Sequence, residues 1–220
     1  MPAESRKFEE EKRAVAEAAA ELVPHGARVG LGTGSTVAYV LAALARRGLN
    51  ITCVATSVAT HHDAVTLGLH VEPFETIDAL DIAIDGADQV DPSGWLIKGG
   101  GAAHTREKIV AAAAERFIVI ASSDKAVTAL EPPVPLELLS FGLAATLRAV
   151  APASVRDVPP SPDGGIIADY HGGVEDPATL ADLLSGTPGV VDHGLFAPRL
   201  VTEVLIAVRG GVERRILGAP

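Results

Sequence analysis

The sequence predicts an α/β fold, with a mostly parallel sheet covered by helices and a small α+β subdomain beside it. Short apolar strands alternate with helical patterns over 28–121. Of the 220 residues, 48% are hydrophobic and 4% aromatic, which is typical of a compact domain with an aliphatic core. A Pro-rich segment at 131–135 interrupts the alternation. This length allows a main domain with a smaller appendage.

The first part of the chain alternates helices with strands, judged from apolar periodicity and stop signals. Pro24, His25 and Gly26 end the first helix, and apolar runs of strand length follow. Strands joined by helices pair in parallel, so their carboxyl ends and the following loops share one edge of the sheet. The predicted segments are helix 6–23, strand 28–32, helix 36–47, strand 51–55, helix 58–67, strands 69–72 and 82–85, helix 105–116 and strand 117–121.

Beyond the Pro-rich segment, the pattern predicts a second unit. Asp176-Pro177 is a good cap and first-turn pair for a helix. We therefore predict a main domain over 1–130 plus 201–220, and a small α+β subdomain over 131–200. The predicted elements in this part are helix 140–150, a hairpin around 163–165, the helix opened by Asp176, and strands 190–196 and 200–208.

The charge and cysteine content exclude several classes of function. The net charge is −10, which argues against nucleic acid as the main partner because phosphate backbones are bound by clustered Lys and Arg. The segment 1–11 is polar without an apolar signal core, and no apolar run approaches the length of a membrane span. The single Cys53 favours a cytoplasmic setting, and the seven histidines lack metal-ligand spacing. We expect no membrane partner and no metal.

The first candidate site is the glycine turn at 30–36, between a strand and a helix. Backbone N–H groups at such a turn and at a helix N-terminus can bind an anion, and hydroxyl side chains add donors. The spacing is not the dinucleotide fingerprint, because Ser35 occupies the last glycine place, and it is not a Walker loop. A plain tight turn is the alternative. The residues predicted to bind here are Thr33, Gly34, Ser35 and Thr36.

The second candidate site is the segment Asp85, Gly86, Ala87 and Asp88, directly after an apolar strand. Two carboxylates around a glycine can serve acid–base chemistry, bind sugar hydroxyls or hold a metal. A simple Asp-Gly turn explains the segment equally well.

The third candidate site begins at Lys98 and continues through Gly99, Gly100 and Gly101. Three successive glycines lose much backbone entropy on folding, so they make sense where a ligand approaches the backbone closely. Lys98 could neutralise a developing oxyanion. Glu107 follows in the first turn of the next helix, where complementing the helix dipole is its ordinary role.

Lys125 is the fourth candidate, because it follows the strand that ends at Ala121. Lys125 is either an ordinary solvated lysine or a residue that binds a phosphate or carboxylate group of a ligand. All four candidates follow apolar strands, so we expect them to converge on one edge of the sheet.

Taken together, these motifs resemble the ribose-5-phosphate isomerase type A family. The resemblance extends to Pro-Val-Pro-Leu-Glu at 133–137 and to 188–196, and it therefore covers nearly the whole chain. It implies a Rossmann-like main domain, a small ferredoxin-like lid, no cofactor, and a homodimer or homotetramer. It also implies the isomerisation of ribose 5-phosphate to ribulose 5-phosphate through an enediolate, in the non-oxidative pentose phosphate pathway.

The resemblance assigns roles to the candidate residues. Glu107 becomes the proton acceptor, while Asp85, Asp88 and Lys98 take part in the chemistry. Lys125 lies at the substrate, and Lys12 helps with the phosphate. The sequence departs from the family pattern at Gln89, His104, Ser122 and the shortened 150–165 segment.

Two other functions stay open from the sequence. A non-catalytic sugar-phosphate sensor is one, because the effector domains of some bacterial repressors resemble this fold and carry a similar glycine turn. A nucleotide-dependent oxidoreductase is the other, although Ser35 in the last glycine place counts against it.

Overall fold

Six helices and three sheets build the described part of the chain, residues 3–218, in this computed structural model. The predicted domain limits at 1–2 and 219–220 lie outside the described residues. The helices are α1 (Ala3–Glu21), α2 (Ser35–Arg47), α3 (Val58–Thr66), α4 (His104–Ala112), α5 (Leu143–Ala149) and α6 (Pro177–Ser185). The strands are β1 (Arg28–Leu31), β2 (Thr52–Ala55), β3 (His70–Val71), β4 (Leu80–Gly86), β5 (Gln89–Val90), β6 (Leu96–Ile97), β7 (Ala114–Ala121), β8 (Val134–Leu138), β9 (Ala153–Val155), β10 (Ile166–Tyr170), β11 (Val190–His193), β12 (Leu195–Phe196), β13 (Glu203–Val208) and β14 (Gly211–Ile216).

The main sheet has seven strands in the order β14-β13-β7-β4-β1-β2-β3. All neighbours are parallel except β13 and β14. Apolar side chains cover both faces: one cluster joins α1 and α2 to the sheet, and the other joins α4 to the opposite face. The predicted α/β class with a Rossmann-like, mostly parallel sheet is confirmed.

Strand β1 sits at the point where the strand order reverses, because β2 lies on one side of it and β4 on the other. Ligands bind at such a switch point, beyond the carboxyl ends of the strands. The Gly32 N–H donates to Ile84 O at 3.0 Å, so the loops after β1 and β4 start side by side. The topology therefore brings the glycine turn next to Asp85.

The second sheet is antiparallel, with the order β11-β8-β10-β9, and it is built from a βαββαβ segment that includes α5 and α6. This is the ferredoxin-like arrangement. The third sheet, β12-β6-β5, is short and holds the chain directly before Lys98. The limits 131–200 for the small subdomain stay a prediction.

One predicted helix is too long, and one strand was not predicted. The helix predicted over 105–116 ends at Ala112, because Ala114–Arg116 pair with Leu80–Ile82 of β4. The alanine-rich sequence favours a helix, but tertiary pairing overrides that propensity. Strand β8 was not predicted, since its prolines suggested a boundary; Pro135 nevertheless lies inside a strand paired on both sides.

Other bounds shift by a few residues. The predicted strand 190–196 is divided at Gly194, whose N–H donates to Pro135 O at 2.7 Å. The strand predicted from 200 begins at Glu203, and the edge strand β14 was not predicted. Cys53 is fully buried, as expected for a core residue.

Candidate active site

The glycine turn leads from β1 into α2. Gly34 has φ +115°, a conformation that side-chain-bearing residues rarely adopt, and α2 begins at the next residue, Ser35. No side chain caps the first turn of α2, and Gly34 and Ser35 are exposed. The backbone N–H groups at the start of α2 are thus available to an anion, and the helix dipole favours negative charge there.

Asp85 is buried at the end of β4 and is held by backbone donors. Its Oδ1 accepts hydrogen bonds from the N–H of Gly86 at 2.7 Å and of Thr33 at 3.2 Å. A Cβ on Gly32 would lie 1.8 Å from Asp85 Cγ, so residue 32 must be glycine for the carboxylate to occupy this place. The two sequence motifs therefore interlock.

Lys98 forms the centre of a buried charged triad with Asp85 and Glu107. Its Nζ lies 2.8 Å from Asp85 Oδ2 and 3.0 Å from Glu107 Oε2, and it donates to Gly86 O at 2.7 Å. The three residues are between 3% and 5% exposed. Such a triad is stable only while each charge keeps its partners.

Burial sets the proton affinity of Glu107. It raises the pKa of Glu107 to about 7, and the negative charge of Asp85 adds to the shift, while Lys98 opposes it. Burial also raises the pKa of Asp85, against the opposing effects of Lys98 and two backbone N–H groups. Asp85 Oδ1 accepts two backbone hydrogen bonds, which favour its charged form, whereas no hydrogen bond is recorded within residues 3–218 to the buried Glu107 Oε2.

Lys98 stays charged in this setting. Burial alone would lower its pKa, but the two carboxylates outweigh this effect and raise it. A permanently charged ammonium beside a titrating carboxyl can stabilise negative charge on a ligand while the carboxyl moves a proton.

The loop after Lys98 brings Asp88 into the same region. Gly100 N–H donates to Asp88 Oδ2 at 2.8 Å, and Asp88 is exposed. Gly99 has φ +108°, and a Cβ there would lie 2.8 Å from the ring of His104. Gly99 is thus required by both backbone conformation and space.

The structure brings most of the predicted site residues together. Hydrogen bonds and ion pairs connect Asp85 with Thr33, Gly86 and Lys98, Lys98 with Glu107, and Asp88 with Gly100. Ala87 and Gly101 lie in the same two loops, and a Cβ on Gly101 would sit 3.5 Å from the methyl of Thr33.

The two remaining lysines are not joined to the triad by any contact recorded for residues 3–218. Lys125 Nζ lies 3.5 Å from Asp124, and its side chain is 39% exposed. Lys12 Nζ lies 2.7 Å from Glu9 Oε1 on α1. Both stay predictions for substrate contact.

Sequence reasoning missed two groups that shape the site. Arg156, which follows β9, donates to Gly99 O and is held by Asp169. Glu137 of β8 is buried and accepts from Thr105 Oγ1, close to Glu107 along α4. The motif at 133–137 contains Glu137, but nothing in the sequence indicated the role of Arg156.

The departures from the family pattern have local explanations. The Gln89 side chain pairs with the backbone of Glu131 through two hydrogen bonds of 2.8 Å. His104 is fully buried, and burial lowers its pKa to about 3, so it is a neutral packing residue. Ser122 Oγ donates to Asp124 Oδ1.

Three further observations limit the chemistry. Within residues 3–218, no group of His, Cys, Asp or Glu is arranged to hold a metal. No helix in the same range has the length and apolar character to cross a membrane. A cavity of about 520 Å³ lies beside α4 and is lined by Thr105 and Arg106, but no predicted site residue faces it. We place the candidate site at the triad because the titrating and charged groups converge there.

Comparison with known proteins identifies relatives across nearly the whole chain. The family model described as ribose 5-phosphate isomerase A (phosphoriboisomerase A) matches residues 52–211. The relative named ribose-5-phosphate isomerase A from Nitrobacter hamburgensis is 44% identical over 93% of this chain and 97% of its own length. The one from Methanosarcina acetivorans is 43% identical over 94% of each chain. A model of the DeoR C terminal sensor domain also matches, over residues 7–67.

Solved structures agree with these relatives. Ribose 5 phosphate isomerase A from Neisseria gonorrhoeae superposes with a TM-score of 0.91 at 32% identity, covering 96% of this chain and 98% of that one. A D-ribose-5-phosphate isomerase in complex with phospho-erythronic acid has a TM-score of 0.89 at 33% identity, with 95% and 99% covered. From the family model, the sequence identity and the shared fold, this chain belongs to the ribose-5-phosphate isomerase A family.

Proposed function

We propose that this protein interconverts D-ribose 5-phosphate and D-ribulose 5-phosphate through an enediolate, as a step of the non-oxidative pentose phosphate pathway. The observation that carries the proposal is the buried triad of Asp85, Lys98 and Glu107, in which the pKa of Glu107 is about 7. A general base works best when its pKa lies near the operating pH. Family membership and the relative solved with phospho-erythronic acid support the substrate class.

The glycine turn is the proposed phosphate site. The exposed Ser35 hydroxyl and the uncapped N–H groups of α2 offer donors to a dianion, with Thr33 and Thr36 beside them. Lys12 and Lys125 supply positive charge in this proposal. The phosphate binds away from the reacting carbons, and the binding energy it supplies helps to hold these carbons in place at the triad.

The reacting end of the sugar lies at Asp85, Asp88 and Lys98 in this proposal. Ring opening needs an acid and a base near the anomeric oxygens, and the exposed carboxylate of Asp88 is available for one of these roles. Asp85 holds Lys98 in place through the 2.8 Å ion pair.

Glu107 then carries the proton between carbons. Its carboxylate removes the proton from C2 of the open aldose, which leaves an enediolate, and the resulting carboxylic acid returns the proton to C1. The hydroxyl proton moves between O2 and O1, so the product is the ketose. Lys98 and the N–H group of Gly101 stabilise the oxygen charge. In this scheme Lys98 is the cation that stabilises the enediolate.

Assembly and location belong to the same proposal. The resemblance to the family implies a homodimer or homotetramer, and the single Cys53 is in keeping with the cytoplasm. The partner is a small sugar phosphate rather than nucleic acid or a membrane.

A second candidate function is a sugar-phosphate sensor without turnover. The match of the DeoR C terminal sensor domain to residues 7–67 favours it, since this range contains the glycine turn. That range does not contain Asp85, Lys98 or Glu107. A sensor needs no buried base, so the triad favours the isomerase.

The decisive experiment compares the wild type with Glu107→Gln in a ribose 5-phosphate assay. We expect turnover to fall by about 10²–10⁴-fold, because positioned acid–base groups contribute this much. Deuterium from D₂O should enter C1 of the ketose with the wild type. The control is Glu115→Gln on the exposed start of β7, which should keep full activity. A wild type that binds ribose 5-phosphate in calorimetry without converting it would establish the sensor instead.

A further inference from the structure

Arg156 connects the small sheet to the glycine loop. Its Nη1 donates to Gly99 O at 3.0 Å and to Gly100 O at 3.3 Å. The other edge of the guanidinium forms a two-point pair with Asp169 of β10, with Nε 2.9 Å from Oδ2. Both side chains are largely buried, at 19% and 16% exposed. A planar fork held in this way has little freedom to move.

The hydrogen bonds of Arg156 fix the direction of two peptide groups. In a trans peptide, the C=O and the following N–H point in opposite directions. Because Gly99 O points to Arg156, the N–H of Gly100 must point away from it, and it donates to Asp88 Oδ2 at 2.8 Å. Likewise, Gly100 O points to Arg156, so the N–H of Gly101 points away from Arg156.

The loop itself is not in a relaxed conformation. Gly99 has φ +108° and Ala102 has φ +60°, and the Ala102 N–H donates to Gly99 O at 3.1 Å. A non-glycine residue with positive φ costs free energy and persists only when its surroundings hold it. Gly99 O accepts hydrogen bonds from both the Ala102 N–H and Arg156 Nη1, and these two bonds hold the loop in this conformation.

We infer that Arg156, held by Asp169, is a positioning residue for the isomerisation, which keeps the Gly100 N–H on the Asp88 carboxylate and turns the Gly101 N–H toward the reacting oxygens. This inference rests on the proposed function, and it adds a residue outside the predicted site. Arg156 does not touch the substrate in this account. It acts through the loop that begins at Lys98, from the side of the small sheet.

The role predicts which kinetic constant changes. The hydrogen bonds recorded for Arg156 within residues 3–218 go to Asp169, Gly99 and Gly100 and none reaches the start of α2, so phosphate affinity should be unaffected. Charge stabilisation at the enediolate depends on N–H direction, and a misplacement of about 1 Å can cost ~10²-fold. Loosening Arg156 should therefore lower kcat and leave KM nearly unchanged.

The experiment uses Arg156→Lys and Asp169→Asn in the full chain. Lysine keeps the charge, but its compact ammonium lacks the planar fork that binds both oxygens of Asp169 on one edge and the carbonyls on the other. We expect kcat to fall between about tenfold and about 100-fold in each variant. Phospho-erythronic acid, whose carboxylate resembles an enediolate in charge, should bind more weakly, whereas inorganic phosphate should bind as to the wild type. The double variant should show no further loss, since both residues act through one contact.

Arg47→Lys is the matched control. Arg47 also donates from one guanidinium nitrogen to two backbone carbonyls, of Ala20 and Val23, but far from the site. It should lose thermal stability like Arg156→Lys while keeping kcat. Full kcat in Arg156→Lys or in Asp169→Asn, with folded protein by circular dichroism, overturns the inference, as does an equal loss of phosphate affinity. A wild type without isomerase activity would instead overturn the proposed function, so the two failures are distinguishable.

Discussion

Glu107 Oε2 lies 3.0 Å from Lys98 Nζ, and both side chains are almost completely buried. The pair places a carboxyl with a raised pKa beside a buried cation. Burial and Asp85 raise the pKa of Glu107 to about 7 although Lys98 opposes the shift. This buried pair should determine how activity depends on pH and how much Lys98 contributes to the stability of the fold.

The first prediction concerns pH. Glu107 must be ionised to accept a proton, so kcat/KM of the wild type should rise with pH through an apparent pKa near 7 and level off above it. Carboxyl carbon chemical shifts in the free protein, assigned with Glu107→Gln, should titrate in the same range. A rising limb at pH 4 to 5, where an unperturbed glutamate titrates, would contradict this account.

The second prediction concerns Lys98→Met. Removing the ammonium leaves the buried carboxylate of Asp85 without a counter-ion, and such a loss costs about 3–5 kcal/mol of unfolding free energy. Urea unfolding at pH 7 measures it. The cost should shrink at acidic pH, because protonated Asp85 and Glu107 carry no buried charge. Lys125→Met is the control; its exposed ion pair should be worth less than about 1 kcal/mol.

The third prediction concerns Ser35→Asp in the glycine turn. A carboxylate at the start of α2 repels a phosphate but suits the helix dipole, so KM for ribose 5-phosphate should rise while stability stays equal or increases by about 0.3–1 kcal/mol. The same substitution at Ser57, which caps α3, is the matched control and should leave KM unchanged. An unchanged KM in Ser35→Asp would place the phosphate elsewhere.

The fourth prediction concerns Gly32→Ala. The new Cβ would lie 1.8 Å from Asp85 Cγ, so the carboxylate must move away from Lys98. Activity should drop strongly, and overpacking should cost about 1–3 kcal/mol in thermal or urea unfolding. Gly211→Ala on β14, where nothing lies within 4 Å of the new methyl, should stay within about 0.5 kcal/mol of the wild type. Equal behaviour of the two variants would refute the close approach.

The sequence was sufficient to predict that the motifs lie close together in the fold, because the order of strands and loops fixes which strand ends are neighbours. β1 and β4 are parallel neighbours, so the turn at Gly32 and the carboxylate of Asp85 had to lie side by side. The position of Glu107 in the first turn of α4 was predicted from the helical pattern that follows the three glycines. Its proton affinity was not predictable, because the pKa depends on burial and on Asp85 and Lys98, which are distant in sequence.

Other features depend on long-range pairing that no local pattern reveals. The helix containing Glu107 ends early because β7 pairs with β4, and Ala114 belongs to that strand despite a helix-favouring sequence. Arg156 follows a short strand in a Pro-rich region, and its contact with Gly99 exists only because the small sheet packs over the loop. Such contacts become visible only in three dimensions.

The position of β13 in the main sheet has a consequence for biosynthesis. β13 is inserted between β7 and β14, yet it follows the entire small sheet in the sequence. A nascent chain, growing at about 5–20 residues per second, therefore carries an apolar β7 with one open edge for some seconds before its partner emerges. Open strand edges invite pairing with other chains. Co-translational aggregation and chaperone dependence should hence centre on Phe117–Ala121, and a truncation that removes β13 should abolish folding of the whole sheet.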